Sequence, residues 1–300
     1  KELEFAFDKI SQQALSISQS INYAQGIQTA MLPEQNSLKN YLPESFILFR
    51  PRDVVSGDFY WYTELDDVSN IHNVLSHFMR RSEDTNEKNA EIAGSRKKNF
   101  AISAVDCTGH GVPGAFMSMI GYNLLDEIIG RGITRADLIL DELHKGVRHA
   151  LNQDKTDNKD GMDMALCIVN RKEKRVEYAG AKNPLIYIKN GEAIQIKGDK
   201  NPIGGIQTEN ARKFENHQVP IEEPTWFYIF SDGFTDQFGG QHGRKYLIKN
   251  FRELLLEIHQ KPMGEQKEIL NTRINEWMGD KYKQVDDIII IGFKLDLNSI

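Results

Sequence analysis

"AVDCTGHGVPGAFMSM", residues 104–119, joins an apolar run to a helix-like segment across a turn that holds an acid, a histidine and three glycines. The run 100–105 reads as a buried strand, and 113–129 as a helix with proline near its first turn. No lysine follows the glycines, so the turn is not a P-loop. Cys107 and His110 share the turn without a third group to orient a nucleophile. Cys107 also lacks a CxxC or HxxxH partner for zinc. The group left to explain is Asp106, a carboxylate at a strand end among small residues.

That placement recurs. Asp58 follows Ser56-Gly57 and opens a strand; Asp232 ends the run 227–231; Asp286 and Asp287 precede the run 288–291. A carboxylate there must be solvated, capped or bound to a cation, because burying it unpaired is costly. One such Asp is ordinarily a turn residue; four in one pattern are harder to dismiss, and if they converge their ligand set is oxygen-only. Asp163, at another strand start, reads as a cap or as support for a further cation. An all-oxygen set favours Mg²⁺ or Mn²⁺ over zinc or copper. Several carboxylates can hold two ions about 3.5–4 Å apart and lower the pKa of a bridging water, and phosphate esters are the natural substrate of that arrangement.

The 300 residues are 40% hydrophobic and 27% charged, ordinary for a globular chain with a sizeable core. A net charge of −6 supplies no basic field for nucleic acid or anionic lipid. The two cysteines, Cys107 and Cys167, form no disulfide framework and suggest a reducing, cytoplasmic setting. No stretch approaches the ~18 apolar residues of a membrane span. The start at Lys1, without Met or a signal-peptide pattern, is expected of a fragment of a longer protein or of a processed start. An upstream sensor or membrane module would lie outside this fragment.

Leu3, Phe7, Ile10, Ala14, Ile17, Ile21, Ala24, Gln28 and Met31 form a heptad seam broken only at Gln28. Residues 1–32 are therefore expected to be a signalling helix that pairs two protomers as a coiled coil; packing on its own domain is the alternative. Residues 33–300 form one domain, with an insertion about 66–98. His72 and His77, five apart within it, do not share a helical face. Further strands are expected at 162–169, 175–179, 185–188, 193–196, 226–230 and 288–293, with a hairpin turn at Asn190-Gly191. Helices are expected at 134–151, N-capped by Thr134, and at 245–259 and 264–277. Strands grouped in antiparallel fashion with clustered helices imply an α+β fold.

Six stretches together resemble the SpoIIE-type branch of the PPM metal-dependent serine/threonine protein phosphatases. They are RPRDVVSGDFYW (50–61), AVDCTGHGVPGAFMSMIG (104–121), DGMDMALCIVN (160–170), YAGAKNPLIYI (178–188), FSDGFTDQFGG (230–240) and QVDDIIII (284–291). The resemblance implies an α-β-β-α sandwich with two Mn²⁺ or Mg²⁺ ions in a cleft at one end. By motif position it implies Asp58, Asp106, Asp232 and Asp286 as metal ligands, with Cys107 contributing its backbone carbonyl. A metal-bridging hydroxide would attack phosphoserine or phosphothreonine. Arg52 is expected to contact the phosphate, or else to be an exposed arginine after a proline. His110 and Asp287 are expected behind the ligands, with Asp287 able to substitute for Asp286 and His110 alternatively a turn residue. The resemblance further implies a phosphorylated partner-switching protein as substrate, of the anti-sigma-factor-antagonist kind, a homodimer through the N-terminal helix, and control by an upstream sensor. The alternatives are a non-catalytic phosphoprotein-binding module and a hydrolase of small phosphoesters.

Overall fold

A computed structural model describes residues 2–65, 98–209 and 211–296. Helix α1 (Glu2–Met31) and the single turn α2 (Leu38–Tyr41) lead into β1 (Ser45–Arg50), β2 (Phe59–Leu65) and β3 (Asn99–Cys107). Helices α3 (Gly111–Gly130) and α4 (Ala136–Ala150) follow. Then come β4 (Gly161–Asn170), β5 (Arg175–Ala181), β6 (Leu185–Lys189), β7 (Glu192–Ile196), β8 (Ile203–Gly204), β9 (His217–Pro220) and β10 (Thr225–Phe230). The chain closes with α5 (Gly233–Asp236), β11 (Phe238–Gly239), β12 (Arg244–Lys245), α6 (Ile248–Ile258), α7 (Met263–Met278) and β13 (Ile288–Leu295).

Two antiparallel sheets carry the fold. One has the order β1-β13-β10-β6-β7; the other runs β2-β3-β4-β5-β9, with β8 against β4. Their period-2 alternation separates three cores. Tyr60, Ile102 and Cys167 of the second sheet meet Ile47, Phe227, Ile229 and Ile291 of the first. Phe59, Trp61 and Val105 face the other way, onto Met117 and Leu125 of α3 and Ile139 and Leu143 of α4. Phe46, Tyr228 and Ile290 turn onto Phe251 and Leu255 of α6 and Ile274 of α7. Helices thus cover the outer face of each sheet, and both strand faces are buried. This is why 226–230 and 288–293 read as unbroken apolar runs. The β6–β7 hairpin turns at Asn190 and Gly191, both at positive φ (52° and 75°), as a two-residue mirror-image turn requires.

One local expectation is corrected. Thr134 does not cap α4: Arg135 holds that position, and its guanidinium binds Asp137 in the first turn instead. The seam of α1 is divided between two environments. Leu3 (86% exposed) to Ile17 (61%) stands clear of the domain, whereas Gln28 is 7% exposed and docks at α3. The insertion at 66–98, with His72 and His77, lies apart from Lys98 outside the described residues. Among the described residues no helix is long and apolar enough to cross a membrane.

Candidate metal centre

Strand parity gathers the acids at one end of the sandwich. Tyr60 and Tyr62 face the inter-sheet core, so Asp58, two residues earlier, points the same way. Ala104 and Ile102 do the same for Asp106, and Ala165 and Cys167 for Asp163. Asp106 and Asp163 are direct cross-strand partners. From the facing sheet, β10 ends and β13 begins at this same end, with Phe230 opposite Ile290. Asp232 and Asp286 therefore arrive opposite Asp58 and Asp106. A cavity of about 340 Å³ is lined by Asp106, Asp163, Asp232, Asp286 and the turn 107–109, with Lys159 and Lys182 on its wall.

Close backbone approach builds the floor. A Cβ at Gly57 or at Gly114 would collide with the carbonyl oxygen of Gly109. Gly109 itself has φ +85°, a conformation glycine adopts without strain. The three glycines let the Asp58 loop, the Asp106 turn and the start of α3 share one point.

The electrostatics are those of crowded carboxylates. Asp58 is 2% exposed, and burial, then Asp106, raise its pKa well above the carboxylate range. Asp106 is raised by burial, then by Asp232, Asp163 and Asp286. Asp232 is pushed up to about 6 by burial and then by Asp236 and Asp286. Asp286 and Asp163 are also raised by burial, and Asp163 is partly relieved by Lys182 at 3.1 Å. Burial, ahead of Asp58 and Asp106, likewise raises the Cys107 thiol, which stays protonated and is no nucleophile.

These residues fit a divalent cation. Asp58 Oδ2 is buried without any hydrogen-bond partner. Such an oxygen costs several kcal/mol unless a proton or a cation answers it. Among the described residues no three His, Cys, Asp or Glu side chains already meet around a single point. Asp106, Asp163, Asp232 and Asp286 share the cavity; Asp58 is not in its lining and is linked to it through the charge of Asp106 and Asp286.

The neighbouring acids of the 286–287 pair diverge. Asp286 lines the cavity. Asp287 is 1% exposed and accepts the backbone N–H of Arg52 (2.6 Å) on one oxygen and of Gly57 (2.7 Å) on the other. It clamps the loop that presents Asp58. Arg52 does not line the acidic cavity: its guanidinium donates to the Val285 carbonyl at 3.1 Å and lies 3.8 Å from Asp53. His110 sits at the N-cap of α3, half exposed, with Nδ1 2.9 Å from Asp53 Oδ2, also outside that lining.

Three participants escaped the motif-based reading. Lys182, at φ 57°, has its backbone N–H on Asp199 and its ammonium on Asp163. Lys159 lines the same wall, and Gly114 completes the floor. A lysine inside the apolar-flanked stretch YAGAKNPLIYI was the available signal for Lys182.

The family model for stage II sporulation protein E (SpoIIE) matches residues 96–296. The SiaA-PP2C domain of Pseudomonas aeruginosa is 32% identical, with 95% of this chain and 99% of that chain covered and a TM-score of 0.75. The PP2C phosphatase domain of SpoIIE from Bacillus subtilis, solved with a fragment of its regulatory domain, is 13% identical at a TM-score of 0.60. There, 84% of this chain and 63% of that chain are covered. RsbX in complex with magnesium is 12% identical at a TM-score of 0.52, with 84% of this chain and 94% of that chain covered. The last two share the fold. No curated protein matches the chain. With a family match over two thirds of its length and a relative spanning nearly all of it, the chain belongs to the SpoIIE family of PP2C-type phosphatases.

Proposed function

We propose that the chain hydrolyses phosphoserine and phosphothreonine on a protein partner. Asp58, Asp106, Asp232, Asp286 and the Cys107 carbonyl would hold two Mg²⁺ or Mn²⁺ ions. The observation that carries this is the buried, partnerless Asp58 Oδ2 beside a cavity lined by three of the other acids. Ions held there supply Lewis acidity and an activated water for attack on phosphorus. The magnesium in the RsbX structure supports the same class of ion.

The chain's own groups set the geometry. Asp287 fixes the Asp58 loop through two backbone amides. Lys182, held by Asp163, offers its ammonium to phosphoryl oxygens in the cavity, the role first expected of Arg52. The substrate is a phosphorylated partner-switching protein, and an upstream sensor module acts through α1. A second copy of the chain covers the exposed seam Leu3–Phe7–Ile10–Ala14–Ile17 in a homodimer.

Phosphate release from a phosphoserine peptide, with and without Mn²⁺, tests the reading. Turnover should require the ion and fall by about two orders of magnitude or more in Asp106→Asn and Asp232→Asn. Metal-independent turnover that survives both substitutions would overturn it.

A further inference from the structure

A second concavity, about 690 Å³, opens beside the acidic one and differs from it in character. Its lining includes Arg52, Phe238, Lys281, Tyr282, Lys283 and Val285. Lys281 and Lys283 have no ion-pair partner among the described residues. The one acid in the lining, Asp53, already faces His110 and Arg52. Phe238 and Val285 are 40% and 38% exposed, so the groove offers apolar contacts between its cations.

The same two segments build both concavities. Residues 281–285 form a groove wall, and the next residue, Asp286, lines the acidic cavity. The stretch 230–238 gives Asp232 to the cavity and Phe238 to the groove. The wall is held in place. Gln237, fully buried, donates to the Lys283 carbonyl (2.9 Å) and accepts the Val285 N–H (3.0 Å). Gln284 donates to the carbonyls of Arg50 and Asp286, both at 2.8 Å. A surface fixed in this way binds without first being ordered.

We propose that this groove takes the polypeptide flanking the phosphorylated residue, and that it selects substrates with acidic and apolar side chains there. A cationic groove stands out on a chain of net charge −6 and is complementary to an acidic segment. A nucleic acid is a poor occupant, because its phosphates would run past the carboxylates next door. The inference rests on the phosphatase reading for what occupies the neighbouring cavity.

The experiment measures binding by fluorescence anisotropy. Three phosphoserine peptides share one core and carry acidic, neutral or basic flanks; each is titrated into the full chain with Mn²⁺, and kcat/KM is read on the same peptides. The acidic flank should bind roughly five- to tenfold more tightly than the basic one, and the gap should shrink at high salt. Lys281→Glu/Lys283→Glu should reverse the order, and the milder Lys281→Ala/Lys283→Ala should flatten it. A preference below twofold in the wild type, or an order unchanged in both variants, overturns the proposal. Turnover of an aryl phosphate by the wild type reports on the phosphatase centre separately, so failure there leaves the binding result readable.

Discussion

Gln28 and Ser56 are joined by two hydrogen bonds: Gln28 Nε2 donates to the Ser56 carbonyl at 2.7 Å, and Gln28 Oε1 accepts the Ser56 N–H at 3.0 Å. The same Nε2 reaches Ser118 Oγ of α3 at 2.9 Å. Ser56 lies two residues before Asp58. The polar residue that interrupts the heptad seam is thus the buried contact between the N-terminal helix and the acid-bearing loop. Gln28→Ala leaves a buried carbonyl and a buried amide unanswered, and should cost about 2–3 kcal/mol in denaturant unfolding. Turnover should fall with it, mainly in kcat, because Asp58 loses its support. Ser118→Ala removes one of the three bonds and should cost about 1 kcal/mol.

The division of the seam predicts which surface pairs. Phe7 and Ile10 lie on the exposed stretch of the seam, whereas Leu15, 61% exposed, lies off it. In light scattering, Phe7→Glu/Ile10→Glu should give monomers and Leu15→Glu should keep the dimer. Equal loss of pairing in both variants would place the interface elsewhere on the helix.

Crowded carboxylates give a pH signature. Unfolded aspartates titrate near 3.9. Asp232 is raised to about 6 in the fold, and Asp58, Asp106 and Asp286 are raised too. Between about pH 4 and pH 7 the ion-free folded chain therefore binds more protons than the unfolded one, so stability falls as pH rises. Thermal unfolding with chelator should show a Tm higher at pH 5 than at pH 8 by about several degrees. Added Mn²⁺ should raise Tm more at pH 8 than at pH 5. Burial lowers the pKa of His144 and opposes this slope, so the difference between wild type and Asp58→Asn isolates the acids.

Asp58→Asn separates stability from activity. It removes a buried charge with a partnerless oxygen, so the ion-free Tm should rise while peptide turnover is lost. A fall in the ion-free Tm would mean that the carboxylate is already well satisfied.

The layered α+β architecture was legible because both faces of each central strand are buried, which leaves the unbroken runs 226–230 and 288–293. The shared face of Asp58 and Asp106 follows from the pairing of Phe59 with Val105, a cross-strand register that was not legible. The pairing of the two sheets was not legible, since no local signal states that β13 starts where β3 ends. For the same reason adjacent Asp286 and Asp287 could not be assigned: one faces the cavity and the other binds two backbone amides. Arg52 was drawn toward the phosphate by its place before Asp58; its guanidinium donates to the Val285 carbonyl outside the cavity lining, while its charge still acts on Asp286. Gln28 registered as a flaw in a coiled coil because its partners, Ser56 and Ser118, lie 28 and 90 residues away.

Isothermal titration of Mn²⁺ into the chelator-treated chain tests the central claim, that these aspartates form the ion-binding centre. The wild type should bind two ions per chain, Asp58→Asn and Asp106→Asn should lose at least one, and Asp163→Asn should keep both. Binding of the same number of ions at the same affinity by the wild type and by both Asp58→Asn and Asp106→Asn would contradict it.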